Sequence, residues 1–408
     1  YSIGYVHEAD IPVQYKLAEA FTVGDMYYES IMSSTAPNRV SWFSGTINPP
    51  KGSKVNGTNK HMGGPTLDNR DSVGCERTDS GKPFSCVPLR WKTVPEYLQE
   101  AGISWRVYQD KDNFGDDPLV MWKQYQTSAK KKGDLAQRGT SFPGLQKFFD
   151  DARDGKLPEV SYIVAPMQLS EHPPYMPMDG AWIQGEVAKA VMHGKNWDST
   201  ALIYSYDETG GWADHVVSPY PPQSEESEWI EDPYDKSNGI TPIGPGFRLP
   251  FYIVSPWTSG GHVFTEHAAH ESQIMFLEQW ALAHGKPFTS EEIPTWRREQ
   301  LSDLVKAFDF SSKDTSVPEV PHVRKPSQDI FTGHFNGADV CQAIHLKKVQ
   351  PDIPYKKLNP SNSMEVNKGF KRLRGDVTEG RRLTFEAHNR ALSHSGSKLK
   401  SSSSSKEH

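Results

Sequence analysis

A three-layer α/β/α fold built on a mainly parallel sheet is what the 408-residue sequence predicts. Three observations carry that expectation. Short apolar runs of strand length recur along the chain, amphipathic helical patterns lie between them, and polar, glycine-bearing turns follow the runs. Alternating strand and helix favours parallel strands with helices on both faces, and in such sheets ligands bind beyond the carboxyl ends of the strands.

The elements follow in chain order. The mixed run Ala20-Phe21-Thr22-Val23 precedes Ser33-Ser34-Thr35-Ala36-Pro37-Asn38-Arg39, where Thr35 resembles an N-cap and Pro37 sits in a first helical turn. Val94 to Ala101 places apolar residues three and four apart, as an amphipathic helix does, and Ile103 to Tyr108 reads as a rather polar strand. Val160 to Ala165, Ala201 to Tyr206 and Phe251 to Ser255 are the buried-strand candidates; Ala181 to Met192 and Ser272 to Ala283 are the helices among them. Between Ser218 and Leu249 the chain is dense in Pro, Gly, Glu, Asp and Ser, which predicts a long surface loop. The catalytic unit is expected over residues 1–310. Residues 311–408 read as a partly disordered extension ending in the serines Ser401 to Ser405.

Net charge is -6 and the pI is near 6.2, so no overall basic field draws the chain to nucleic acid. The tail from Lys368 onward holds ten Lys or Arg against four Asp or Glu, giving +6 there and -12 elsewhere. Such a tail is suited to peripheral contact with anionic lipid, but a merely solvated tail is the favoured reading of it. No apolar run approaches the roughly 20 residues that span a bilayer. Cys75 and Cys86 flank a short polar stretch that one disulfide would close, Cys341 is left over, and Asn56-Gly57-Thr58 is a glycosylation sequon. Together these predict a secreted protein. Tyr1 is neither a methionine nor part of a signal peptide, so the natural N-terminus is expected upstream.

Chemistry concentrates at strand ends. Ala201 to Tyr206 runs straight into Asp207-Glu208-Thr209-Gly210-Gly211, with Asp214-His215 one turn later. Adjacent carboxylates suit a hard divalent cation, or split between ligand and general base, and the glycines let the backbone approach a ligand. A solvated acidic turn is the alternative. Thr35 at a helix N-terminus is placed for attack on a phosphate resting on free N–H groups; a plain helix cap accounts for the same residues. His172, in Ser170-Glu171-His172-Pro173-Pro174, lies beyond a strand end and is a candidate proton donor. His270, opening the last helix, is another. There is no Gly-x-Ser-x-Gly elbow, no His-Glu-x-x-His and no Gly-rich phosphate loop, which removes serine hydrolases of that type, zinc proteases of that type and P-loop enzymes.

Five motifs in order resemble the phosphoesterase family, which includes bacterial, fungal and plant non-specific phospholipases C and an acid phosphatase. They are Asp10 to Asp25, Ser34 to Arg39, Glu171 to Pro174, Asp207 to Val216 and Ser255 to Trp257. The set is most similar to fungal phospholipases C acting on phosphatidylcholine. This resemblance implies an alkaline-phosphatase-like fold, Thr35 as the attacking group, a phospho-threonine intermediate, and a divalent metal (Zn, Ca, Mn or Mg) held by Asp207 and Glu208. It further implies that His172 and His270 donate protons or bind phosphate, with Asn38 and His215 on the substrate. The expected substrate is a phospholipid, cleaved to diacylglycerol and a phosphorylated headgroup; phosphomonoester hydrolysis and silent lipid binding are the alternatives. Two departures stand out. The family's N-terminal Glu-Asn-Arg-Ser-Phe-Asp-His segment is absent, and Thr209 stands where the family commonly has His.

Overall fold

The computed structural model describes residues 6–49, 63–68, 88–111, 113, 115–173, 175–210, 214–232 and 235–326. The chain divides into two compact units, Ser2–Lys347 and a second made of Tyr1 with Lys348–His408; every described residue belongs to the first. The three cysteines, the Asn56 sequon, Trp212 and the basic tail lie outside the described residues.

In chain order the elements are α1 (Pro12–Ala20), β1 (Thr22–Gly24), α2 (Thr35–Ser44), α3 (Val94–Glu100), β2 (Trp105–Gln109), α4 (Lys123–Lys130), α5 (Asp134–Gly139) and α6 (Leu145–Asp154). They continue with β3 (Val160–Val164), α7 (Pro177–Met192), β4 (Leu202–Ser205), β5 (Trp229–Glu231), β6 (Ile240–Pro242), β7 (Phe251–Val254), β8 (Val263–Phe264), α8 (His270–Ala283) and α9 (Thr295–Gln300). Each expected strand and helix is present, with ends shifted by up to four residues. Local chemistry sets several of those ends. Glu96 accepts from the N–H and hydroxyl of Thr93, a capping box that starts α3. Pro177 supplies the first residue of α7 at no hydrogen-bond cost. Gly45 ends α2 at φ 85°, where a Cβ would fall 2.4 Å from Ile293 Cγ1.

The strands form a four-stranded sheet in the order β4-β7-β1-β8, a parallel pair β2-β3, and a small antiparallel pair β5-β6. In the large sheet β1 and β8 are parallel, while β7 runs against both of its neighbours. The sheet is therefore parallel only in part among the described residues. Antiparallel neighbours need no helical crossover, and the long excursion after Tyr206 brings the chain back beside β4 in the opposite sense.

Period-two alternation sends side chains to two cores. Val160, Tyr162 and Val164 pack with α2, α3 and α8, whereas Ile163 faces the α1, α6 and α7 side. On β7, Tyr252 and Val254 pack with α7, while Phe251 and Ile253 join Tyr27 and Phe308. Helices thus cover both faces of the sheet, as the sequence predicts.

One expectation changes. The 218–249 segment is not simply a surface loop: β5 and β6 lie in it, and Glu228, Trp229, Ile230 and Ile243 are buried. Its polarity misleads because Glu228 is paired internally with Arg297. Packing also continues past residue 310. Trp197 Nε1 donates to Thr315 O at 3.0 Å, and Val323 is buried with the α7 core.

Candidate active site

Three separated motifs meet at one end of the large sheet. The helix α2 begins at Thr35, with Ser34 as its cap residue, one position earlier than the sequence suggests. Ser34 makes no side-chain cap, Pro37 has no N–H, and no described group accepts from the N–H of Thr35 or Ala36. These groups remain open to an anion. Asn38 holds the preceding loop: its Oδ1 accepts from Ile31 N, and its Nδ2 donates to the carbonyls of Ile31, Ser33 and Ser34. Its amide thus holds the loop that leads into Thr35.

Arg39 lies one helical turn beyond Thr35, on the same face of α2. Its Nε donates to Asp207 Oδ2 at 2.9 Å, and its NH2 lies 3.4 Å from Asp116 Oδ2. This contact joins the helix N-terminus to the acids at the end of β4. Burial pushes the Asp207 carboxyl upward, but the Arg39 charge outweighs it and holds the group below the usual carboxylate range. Asp207 Oδ1 accepts from Glu208 N at 3.1 Å. Glu208 is half-buried and its pKa is raised, chiefly by burial and then by Asp207; His172 lies near enough to offset part of the rise.

The remaining predicted residues divide. His270 is fully buried, with Nε2 2.9 Å from Asp207 O and Nδ1 2.8 Å from Tyr27 Oη. A carbonyl only accepts, so Nε2 carries the proton and Nδ1 accepts from Tyr27, whose oxygen in turn accepts from Gln273 at 2.7 Å. Burial lowers the His270 pKa. Both nitrogens of this neutral ring are used, and its Nε2 holds the Asp207 backbone. His172 is exposed beyond the end of β3, with Nδ1 2.7 Å from Pro173 O. His215 is 90% exposed and sits 3.6 Å from Asp214, which Arg248 clamps through two 2.8 Å hydrogen bonds. None of its described contacts reaches Thr35 or Asp207.

Tyr27→Phe is expected to cost about 1–3 kcal/mol, because it leaves His270 Nδ1 buried without a partner and removes one of the two acceptors of Gln273 Nε2, which keeps Ser205 Oγ at 2.8 Å. Urea unfolding of the two proteins checks it, and a change below about 0.5 kcal/mol would remove the chain from the argument.

Several groups escape the sequence reading. Arg39 was visible in its motif but had no assigned partner. Glu29 is buried, accepts from Phe247 N at 3.0 Å, and has its pKa pushed up to about 8 by burial together with Glu208 and Asp207. Glu171 accepts from Tyr206 Oη at 2.8 Å and Gln184 Nε2 at 2.9 Å, packed so closely on Gly180 that a Cβ there would fall 2.0 Å from Glu171 Oε1. Burial raises Glu171 from 4.5 to about 7. A raised carboxyl contributes stability that is fully present below about pH 4.5 and lost as pH climbs through about 7. Glu171→Gln is therefore expected to gain thermal stability relative to wild type between about pH 4.5 and pH 8, the other titrating groups cancelling in the comparison. A constant difference in unfolding midpoint across that range would contradict it.

A zinc ion takes three or four protein donors and a calcium ion more oxygens still, whereas magnesium is held by one or two carboxylates with waters and substrate phosphate. Among the described residues no three His, Cys, Asp or Glu groups converge to hold one, and Asp207 already faces a guanidinium. Asp207 and Glu208 are thus at most a partial ligand set.

A family model described as the phosphoesterase family matches residues 1–282. The chain is 34% identical to a non-hemolytic phospholipase C of Burkholderia pseudomallei, over 78% of this chain and 47% of that protein. It is 35% identical to a non-hemolytic phospholipase C of Pseudomonas aeruginosa, over 90% of this chain and 50% of that protein. The chain therefore spans about half the length of these relatives. A solved structure of a protein in the alkaline phosphatase superfamily, from Vibrio parahaemolyticus, overlaps 72% of this chain and 64% of its own at 12% identity and a TM-score of 0.39.

Proposed function

This chain belongs to the phosphoesterase family, and we propose that it cleaves phosphoester bonds as a phospholipase C, releasing diacylglycerol and a phosphorylated headgroup from phosphatidylcholine-type lipids. The observation that carries the reading is the 2.9 Å contact between Arg39 and Asp207, which sets the open N-terminus of α2 against the acids ending β4. The phospholipase C relatives supply the substrate class.

In this mechanism the phosphate rests on the N–H groups of Thr35 and Ala36, aided by the positive end of the helix. Thr35 Oγ1 attacks phosphorus as its proton passes to Glu208, whose raised pKa suits a base. The bond from phosphorus to the lipid alcohol breaks, and His172 protonates the departing oxygen. Water then attacks the phospho-threonine, the bond from phosphorus to Oγ1 breaks, and Oγ1 regains a proton. Asn38, Arg39 and His270 keep these groups in register. A divalent cation on Asp207 and Glu208 would add neutralising charge, and the described donors do not complete its site. Secretion, and contact of the basic tail with anionic lipid, belong to the same reading.

Hydrolysis of phosphatidylcholine vesicles, set beside that of a simple aryl phosphate, tests the proposal. Turnover of the lipid with little of the aryl ester supports it. Turnover of the aryl ester alone makes the protein a phosphomonoesterase, and lipid binding with no turnover of either makes it a silent homologue.

A further inference from the structure

Thr35 and Glu208 sit on different elements, and Arg39 links the two from the α2 side, through Asp207. A second link lies on the other side of the nucleophile. Before Thr35, residues 27–32 run antiparallel to residues 243–249: Leu249 N donates to Tyr27 O, Glu29 N to Phe247 O, Gly246 N to Glu29 O and Met32 N to Ile243 O. Glu29, 2% exposed, is the buried acid of this stretch. Its Oε1 accepts from Phe247 N at 3.0 Å, and its carboxylate also accepts from the N–H of Thr209, the residue after Glu208. Gly246 makes the room: a Cβ there would overlap Glu29 Oε1 and fall 2.6 Å from its Cγ. Burying a carboxylate costs free energy that an apolar side chain of this size would not, and no step of the reaction set out above uses the group. What the carboxylate adds is a fixed hold on Thr209.

We propose that Glu29 is a positioning residue for this phosphoester cleavage: by holding the Thr209 N–H from the segment that leads into Thr35, it sets the reach from Glu208 to the Thr35 hydroxyl. The inference rests on the reading of Thr35 as nucleophile and Glu208 as base. Glu29 acts through the backbone and exchanges no proton with substrate. Proton transfer requires the two oxygens within hydrogen-bond distance, and a misplacement of about 1 Å costs up to about 100-fold in rate. The phosphate cradle is spared, because the N–H groups of Thr35 and Ala36 belong to α2 and Asn38 separately holds the loop before it. Loss of Glu29 therefore falls on kcat and leaves KM nearly unchanged.

Initial rates of the full chain on phosphatidylcholine vesicles and on an aryl phosphate test the proposal, read on whichever ester the wild type cleaves. Glu29→Gln keeps the side-chain shape but turns an NH2 group toward one of the two N–H donors; it is expected to lower kcat about 10-fold or more, with KM changed less than about threefold. Gly246→Ala displaces Glu29 without removing it. It is expected to lower kcat similarly, and to have no further effect in a Glu29→Ala background, where the carboxyl it strikes is gone. Effects that multiply in the double variant, a rise in KM at constant kcat, or a kcat loss accounted for by the unfolded fraction at the assay temperature overturn the proposal. If the wild type cleaves neither ester, the reaction itself fails and amide exchange judges the hold on Thr209. Exchange at Thr209 about 10-fold faster in Glu29→Ala, with the β7 amides unchanged, upholds it, and equal exchange overturns it.

Discussion

Thr35→Ala is expected to lower turnover by about 10⁴-fold or more and to abolish any phosphorylated enzyme, because a nucleophile acting as part of a unit is not replaced by its neighbours. The structure makes this a clean test of chemistry. Thr35 is the first residue of α2, half-exposed, and no described hydrogen bond of the fold uses its hydroxyl, so the substitution leaves Ser34, Asn38 and the Arg39–Asp207 contact in place. Unfolding midpoints of the two proteins should agree closely. Thr35→Ser keeps a hydroxyl on the same backbone and should retain measurable turnover. Single-turnover reactions quenched in acid, with peptide mapping of the phosphate, give the direct readout. Full activity in Thr35→Ala would require direct attack by water and would end the covalent mechanism.

Arg297→Met should destabilise the fold by about 3–5 kcal/mol, the range for breaking a buried ion pair from one side. Arg297 is 2% exposed and forks onto Glu228 at 2.9 and 2.8 Å, while its NH1 donates to Glu271 at 2.8 Å and Ser30 O at 2.9 Å. Glu271 also accepts from Ser30 Oγ and Ser41 Oγ. Burial pushes the Glu271 carboxyl up, but the guanidinium and these hydroxyls bring it below its ordinary value. Removing Arg297 strands two carboxylates in the interior. Replacing Arg297, Glu228 and Glu271 together by apolar residues of similar volume should cost much less, since no charge is left unpaired. Urea titration of both variants decides the matter, and equal losses would mean that the cost comes from packing. Glu271 adjoins His270 and bonds to α2, so the single variant is also expected to lower activity through misplacement of Asp207.

Strand and helix positions were legible because burial imposes periods of two and 3.6 on the sequence, and Val160 to Val164 and Ser272 to Ala283 display them. Thr35, Asp207 and Glu208 were legible for a related reason: they sit at a helix start and a strand end, where local signals are strong. The 218–249 segment was misread because its polarity is local while the partner of Glu228 lies 69 residues away. His270 shows the same limit. Its place at the head of a helix suggested a reactive imidazole, yet Tyr27, 243 positions distant, takes one nitrogen and the Asp207 carbonyl the other.

The sequence by itself determined the α/β class, the order of the elements and the chemical types gathered at the strand ends, because each depends on neighbours within a few residues. The tertiary structure alone decided which of those groups face the cleft, which are spent holding it, and that Arg39 neutralises Asp207. It also decided that β3 and β4 line one cavity without pairing with each other. Such facts depend on contacts between distant segments, and hydrophobic periodicity carries no record of which segments will meet.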